Sequence, residues 1–220
     1  MDGIGQFGRE VIGASPNSIR LLAGQAVLDE LHKRPSQMEP FEDQTIQHAS
    51  RVELGKGVTL EFCRVPHREE ECGETYGIII ECTSSSTSNS MPLAASPTSV
   101  SKVTRLLFLP DHDSYAETLE FHDCETIREF LNKFSIDVAL LDGTFFTIGE
   151  VAVRREDAKG IPHPPIDESL GLLGERTNDD PEIMFIHFNH TNPVIDNMEK
   201  RLEIERMGWN IGVQGMTWEI

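Results

Sequence analysis

The sequence predicts an α/β domain. Three observations point there: apolar strands that end abruptly in His or Asp, a hairpin with period-two alternation, and amphipathic helical stretches set between strands. The clearest strand is Ile183-Met184-Phe185-Ile186, which runs into His187-Phe188-Asn189-His190-Thr191-Asn192-Pro193. An unbroken apolar run suits a strand covered on both faces, and Asn-Pro breaks regular structure directly afterwards. Open α/β sheets place their chemistry at such strand ends. The plain alternative is a satisfied core histidine at His187 followed by an Asn192-Pro193 turn.

The elements follow in order. Ile4, Phe7, Val11 and Ile12 have helical spacing from Gly3 to about Gly13, where the glycine can stop the helix. Ile19 to Leu22 reads as a short strand. Gln25 to Lys33 repeats Val27, Leu28 and Leu31 as an amphipathic helix ended before Pro35. Val52, Leu54, Val58, Leu60 and Phe62 alternate around Gly55-Lys56-Gly57 as a hairpin reaching Val65. Then come Pro66-His67-Arg68, an acidic cluster from Glu69 to Glu71, and a strand from Thr75 to Cys82.

Residues 83–102 form a low-complexity Ser/Thr-rich insertion loop with almost no charge, set within one domain that spans 1–220. The strand Val103 to Leu109 ends in Pro110-Asp111-His112-Asp113. Ser114 to Phe121 is polar, and Asp123 is the expected cap of a helix carrying Ile127, Phe130 and Leu131. Val138 to Leu141 is a third buried strand, ending in Asp142-Gly143-Thr144-Phe145-Phe146. Ile161-Pro162-His163-Pro164-Pro165 reads as a rigid loop ahead of a short helix to Leu173. A helix with Met198, Leu202, Ile204 and Met207 follows the Ile183–Ile186 strand, then a strand from Ile211 to Val213 and an edge strand from Gly215 to Ile220.

Composition excludes several classes. A net charge of −18 repels phosphate backbones, so no nucleic-acid partner is expected. No apolar run approaches the roughly 20 residues a membrane helix needs, and no secretory signal opens the chain, so no membrane partner and a cytoplasmic setting are expected. Cys63, Cys72, Cys82 and Cys124 lack metal-ribbon or redox-pair spacing and read as reduced structural thiols.

Three apolar strands thus end in Asp or His, at Asp111, Asp142 and His187, with the loop histidines His67 and His163 available to join them. Imidazole and carboxylate are the usual ligands of Zn²⁺, Mn²⁺ and Fe. The order Pro66-His67-Arg68, Leu109-Pro110-Asp111, Asp142-Gly143-Thr144-Phe145 and His187-x-Asn189-x-Thr191-Asn192-Pro193 resembles the metallo-β-lactamase superfamily, in particular its coenzyme PQQ synthesis protein B branch. Gln6-Phe7-Gly8-Arg9-Glu10 is similar to the helix that follows the metal motif in that branch.

The resemblance implies an αββα sandwich with a metal site at one edge of two packed sheets. It implies metal ligation by His67, Asp111 and His187, with Asp142 as a nearby catalytic residue; His112, His163 and His190 receive no role. The implied cofactor is a divalent metal, zinc first, with iron or manganese as alternatives. The implied activity is hydrolysis of a small-molecule substrate by metal-activated water, although the PQQ synthesis B branch is associated with oxidative hydroxylation of a peptide tyrosine. The superfamily's HxHxDH motif has no counterpart in these 220 residues. The expectation is therefore a domain truncated at its N-terminus, with an exposed sheet edge prone to self-association. The competing expectation is a non-catalytic α/β module with an incomplete metal site.

Overall fold

Strand pairing follows chain order in the computed structural model, which describes residues 19–33, 41–67, 74–85, 101–152 and 163–217. The expected helix from Gly3 to Gly13, the Glu69–Glu71 cluster, Cys72 and the end from Trp218 lie outside those residues. The described elements are β1 (Ile19–Ala23), α1 (Gln25–His32), β2 (Phe41–Thr45), β3 (Arg51–Gly55), β4 (Val58–Val65), β5 (Thr75–Ser85) and β6 (Ser101–Leu109). They continue with α2 (Tyr115–Phe121), α3 (Ile127–Lys133), β7 (Val138–Asp142), α4 (Gly149–Ala152), α5 (Ile166–Leu173), β8 (Glu182–Ile186), α6 (Met198–Arg206) and β9 (Asn210–Ile211).

β3 to β9 form one sheet in sequential order. Its first four strands are antiparallel, and β6, β7, β8 and β9 are parallel. The alternation of side chains along each strand splits the core in two. On one face Cys63, Val65, Ile79, Leu107 and Leu109 pack with Leu119, Phe130, Leu131, Leu170 and Ile204 from the helices. On the other, Val52 and Phe62 pack with Ile46 and with the partly buried Leu22, Leu60, Tyr76 and Ile78. Leu22 belongs to the small parallel sheet of β1 and β2, whose crossover α1 buries Leu28 and Leu31. The layers therefore run helices, large sheet, small sheet, helix, the expected αββα order.

The helix-covered face becomes ionic away from the apolar core. Arg51 pairs with Glu61 at 2.8 Å and with Glu81 at 2.7 Å, while Arg105 pairs with Glu61 at 2.8 Å and also with Glu81. This network satisfies four charges on β3 to β6.

The boundaries of several elements differ from expectation. The stretch 114–121 is helical: Ser114 caps α2 by accepting from Glu117 N, so a capping signature outweighs weak apolar periodicity. Thr126, not Asp123, caps α3, accepting from Glu129 N, and Asp123 instead takes a left-handed turn with φ 52°. The insertion loop is shorter than 83–102, because backbone pairing carries β5 to Ser85 and starts β6 at Ser101, with Thr83 opposite Val103. Ladder hydrogen bonds do not require apolar side chains, so a Ser/Thr-rich strand end resembles a loop in sequence. The last strand is confined to Asn210–Ile211, and residues 215–217 are not strand. Gly215 has φ 88°, a left-handed conformation that ends extended structure.

Arg128 on α3 ties the helix layer together. It donates to both Asp180 oxygens, at 2.6 and 2.9 Å, to Glu175 O at 3.0 Å and to Leu173 O. Its guanidinium, helped by the Thr177 N–H and hydroxyl and opposed by burial, holds the Asp180 carboxyl at about 2, below its ordinary value of 3.8. A depressed folded pKa gives stability that is present above the unfolded value and lost as pH falls through the folded one. Arg128→Met should therefore flatten the loss of stability between about pH 4 and pH 2, as read by acid titration of the urea midpoint.

Candidate metal centre

The parallel strands set the site. Leu109 lies opposite Leu141 and Asp142 opposite Ile186, so the C-terminal ends of β6, β7 and β8 share one sheet edge. β4 runs in the same direction as β6, since both are antiparallel to β5, and delivers His67 to that edge. His163 arrives from the loop before α5. Apolar residues up to each strand end bury the strands, and the first polar residues beyond them gather at the rim.

Asp111, Asp142, His163 and His187 each place a ligand-type atom within 4.8 Å of the others. His163 Nδ1 is 3.5 Å from Asp111 Oδ1, and His187 Nε2 is 3.9 Å from Asp111 Oδ2. An ion bonded at about 2.1 Å holds tetrahedral ligands about 3.4 Å apart and opposite ligands about 4.2 Å apart. The Asp111 distances fall in that span, and the mixed His/Asp donors suit a divalent cation. The two other members are placed differently. The Asp142 side chain is wholly buried, with Oδ2 2.7 Å from His163 Nδ1 and Oδ1 accepting from Thr144 N at 2.9 Å and Thr144 Oγ1 at 2.7 Å. A carboxylate only accepts, so His163 Nδ1 carries a proton toward Asp142 and cannot offer the same lone pair to a metal. Asp111 and His187 are then the members left to hold an ion.

Of the residues expected as ligands, the structure brings Asp111 and His187 together and sets His67 beside them. His67 Nδ1 lies 3.3 Å from Asp113 Oδ1, and its ring is 5.7 Å from that of His163. The loops are joined where Asp113 N donates to Pro66 O at 2.8 Å. Asp142, the expected catalytic residue, touches Thr144 and His163 rather than solvent. His163, without an expected role, joins the group. Its sequence signal is thin: a histidine among prolines directly before a helix. His190 is exposed and outside the group. His112 is fully buried edge-on to Tyr115 at 4.8 Å, neither ring nitrogen has a hydrogen-bond partner among the described residues, and burial pushes its pKa down to about 4.

Two motifs of the sequence lock together here. Asn192, 1% exposed, donates to Gly143 O at 2.7 Å and accepts from Val194 N at 3.1 Å, while Asn189 N donates to Thr144 O at 3.0 Å. Asn192-Pro193 is thus more than a turn: it fastens the loop after β8 to the loop after β7. Gly143 is required by space, since a Cβ there would sit 2.7 Å from Ile186 O and 2.8 Å from a Phe188 ring carbon. Gly143→Ala should part the ends of β7 and β8 and cost about 1–3 kcal/mol, measurable as a lower urea midpoint. His187 itself has φ 64°, a left-handed conformation uncommon for a non-glycine residue and one that occurs at functional sites.

Cys63, Cys82 and Cys124 are free, and burial pushes the Cys63 thiol up to about 12, which makes it inert at neutral pH. No helix among the described residues is long and apolar enough to cross a membrane.

No family model matches the chain. A coenzyme PQQ synthesis protein B of Rhizobium meliloti (strain 1021) is 30% identical over 89 residues, which is 36% of this chain and 28% of that protein. Among solved structures, Zn(2+)-bound PqqB from Methylobacterium extorquens superposes with a TM-score of 0.61 at 20% identity, over 94% of this chain and 66% of that one. A diphosphatase of the PhnP family gives 0.51 at 18% identity over 98% and 62%. The metallo-β-lactamase fold protein YhfI from Bacillus subtilis gives 0.54 at 12% over 95% and 67%. The chain therefore spans about two thirds of these structures, and its aligned stretch under a third of the curated relative. Strand order, the two stacked sheets and these superpositions agree that the chain has the metallo-β-lactamase fold and is similar in sequence and structure to PqqB.

Proposed function

We propose that the chain is a metal-dependent hydrolase acting on a small molecule with a phosphoryl or acyl centre, with zinc as the first candidate metal. The observation that carries this reading is the gathering of Asp111, Asp142, His163 and His187 on adjoining strand ends. Zinc is favoured by the donor types and by the zinc in the PqqB structure, whereas iron and manganese accept the same donors. When bound, such an ion supplies Lewis acidity that lowers the pKa of water toward about 7.

The chain's own groups have separable tasks. Asp111 and His187 hold and orient at the rim. Asp142 keeps His163 in its Nδ1–H form through the 2.7 Å contact, which leaves His163 Nε2 to pass a proton to a leaving group or take one from water. Burial of Asp142 keeps water from competing for that contact.

The test is hydrolysis of bis(p-nitrophenyl) phosphate by the full chain loaded with Zn(II) or Mn(II), a probe chosen because a PhnP-family diphosphatase has the same fold. Turnover should depend on the metal, and His163→Gln should lower it by about 10²–10⁴-fold with metal content unchanged. A metal-loaded chain that turns over neither this diester nor an activated ester would favour the non-catalytic reading.

A further inference from the structure

We propose that Thr144 is a positioning residue: its hydroxyl passes the acceptor character of buried Asp142 to His187 and so fixes which His187 nitrogen is free to bind a metal. The inference rests on the reading of His187 as a metal-facing group. Thr144 Oγ1 has one hydrogen and two acceptor positions. It lies 2.7 Å from Asp142 Oδ1, 3.0 Å from His187 Nδ1 and 3.2 Å from His163 Nδ1.

Asp142 can only accept, so the Thr144 hydrogen is committed to it in the shortest and charge-assisted bond. Thr144 then has only lone pairs left for the histidines. His187 must donate from Nδ1, and its Nε2 keeps the lone pair. Nε2 is the atom that faces Asp111 Oδ2 across 3.9 Å. His163 Nδ1, whose main partner is Asp142 Oδ2 at 2.7 Å, makes the weaker second contact. Each proton in the group is thus placed outward from one buried carboxylate. The fixed tautomer matters because a free histidine side chain favours Nε2–H, which would set a proton rather than a lone pair toward Asp111. Thr144 is 7% exposed, so solvent does not replace it.

The experiment is ¹⁵N NMR of the histidine side chains of the metal-free full chain, with a zinc titration of the same samples against a competing chelator. Wild type and Thr144→Ser should hold His187 as Nδ1–H, and Thr144→Val should shift it toward Nε2–H. Thr144→Val should weaken zinc binding about 10–100-fold, with Thr144→Ser within about threefold of wild type. A wild-type His187 found as Nε2–H overturns the proposal without any variant. Zinc bound equally by wild type and Thr144→Val overturns the proposal and leaves the metal reading standing. The expected tautomers in a wild type that takes up no zinc uphold the hydroxyl's role and remove the metal reading instead.

Discussion

Asp142→Ala is expected to cost about 3–5 kcal/mol of folding stability, the loss typical of removing one partner from a buried polar pair. The side chain is wholly buried and meets three donors: Thr144 N, Thr144 Oγ1 and His163 Nδ1. Its removal strands these donors, at about 1–3 kcal/mol for each that cannot find a new partner. Asp142→Asn keeps one acceptor oxygen for Thr144 but turns an amide N–H toward His163 Nδ1, so it should fall between wild type and alanine. Urea denaturation of the three proteins checks the order. A near-neutral alanine variant would mean that the carboxylate organises nothing.

His187→Gly should separate stability from metal binding. The left-handed conformation at φ 64° costs a non-glycine residue about 1–2 kcal/mol, which glycine recovers. The lost hydrogen bond from Nδ1 to Thr144 costs about 0.5–1.5 kcal/mol, so the two effects nearly cancel. The side chain is 45% exposed and fills no core space. Scanning calorimetry should place the variant within about 1 kcal/mol of wild type, while its zinc affinity falls at least about 10²-fold. Loss of folding with unchanged zinc affinity would mark His187 as structural.

The parts of this fold that were legible in the sequence are those where hydrophobic patterning carries the information. Val138–Leu141 and Ile183–Ile186 are unbroken apolar runs that set Ala139, Leu141, Ile183 and Phe185 into the core under the helices, and each stops where the rim begins. Asp111 and His187 were legible for that reason. His163 was legible only as a loop histidine available to join them, without a role: its place depends on a loop returning to the strand ends, and a histidine between prolines carries no periodicity. Thr144 was hidden differently, since a threonine after Asp-Gly reads as ordinary turn chemistry until the histidines on either side are located. Helix α2 was missed because its signal is a Ser114/Glu117 cap rather than an apolar stripe, and capping decides short helices whose burial rests on a few residues such as Tyr115 and Leu119.

We propose that Asp111 and His187, held by the Asp142–Thr144–His163 group, form a divalent-metal site at the edge of the sheet. Calorimetric titration of Zn(II) into the metal-free full chain tests it most directly, with Asp111→Ala, His187→Ala and His190→Ala measured alongside. Saturable binding is expected, weakened at least about 10²-fold by the first two substitutions and left unchanged by the third. Absence of binding by the wild type, or equal binding by all four proteins, would contradict it.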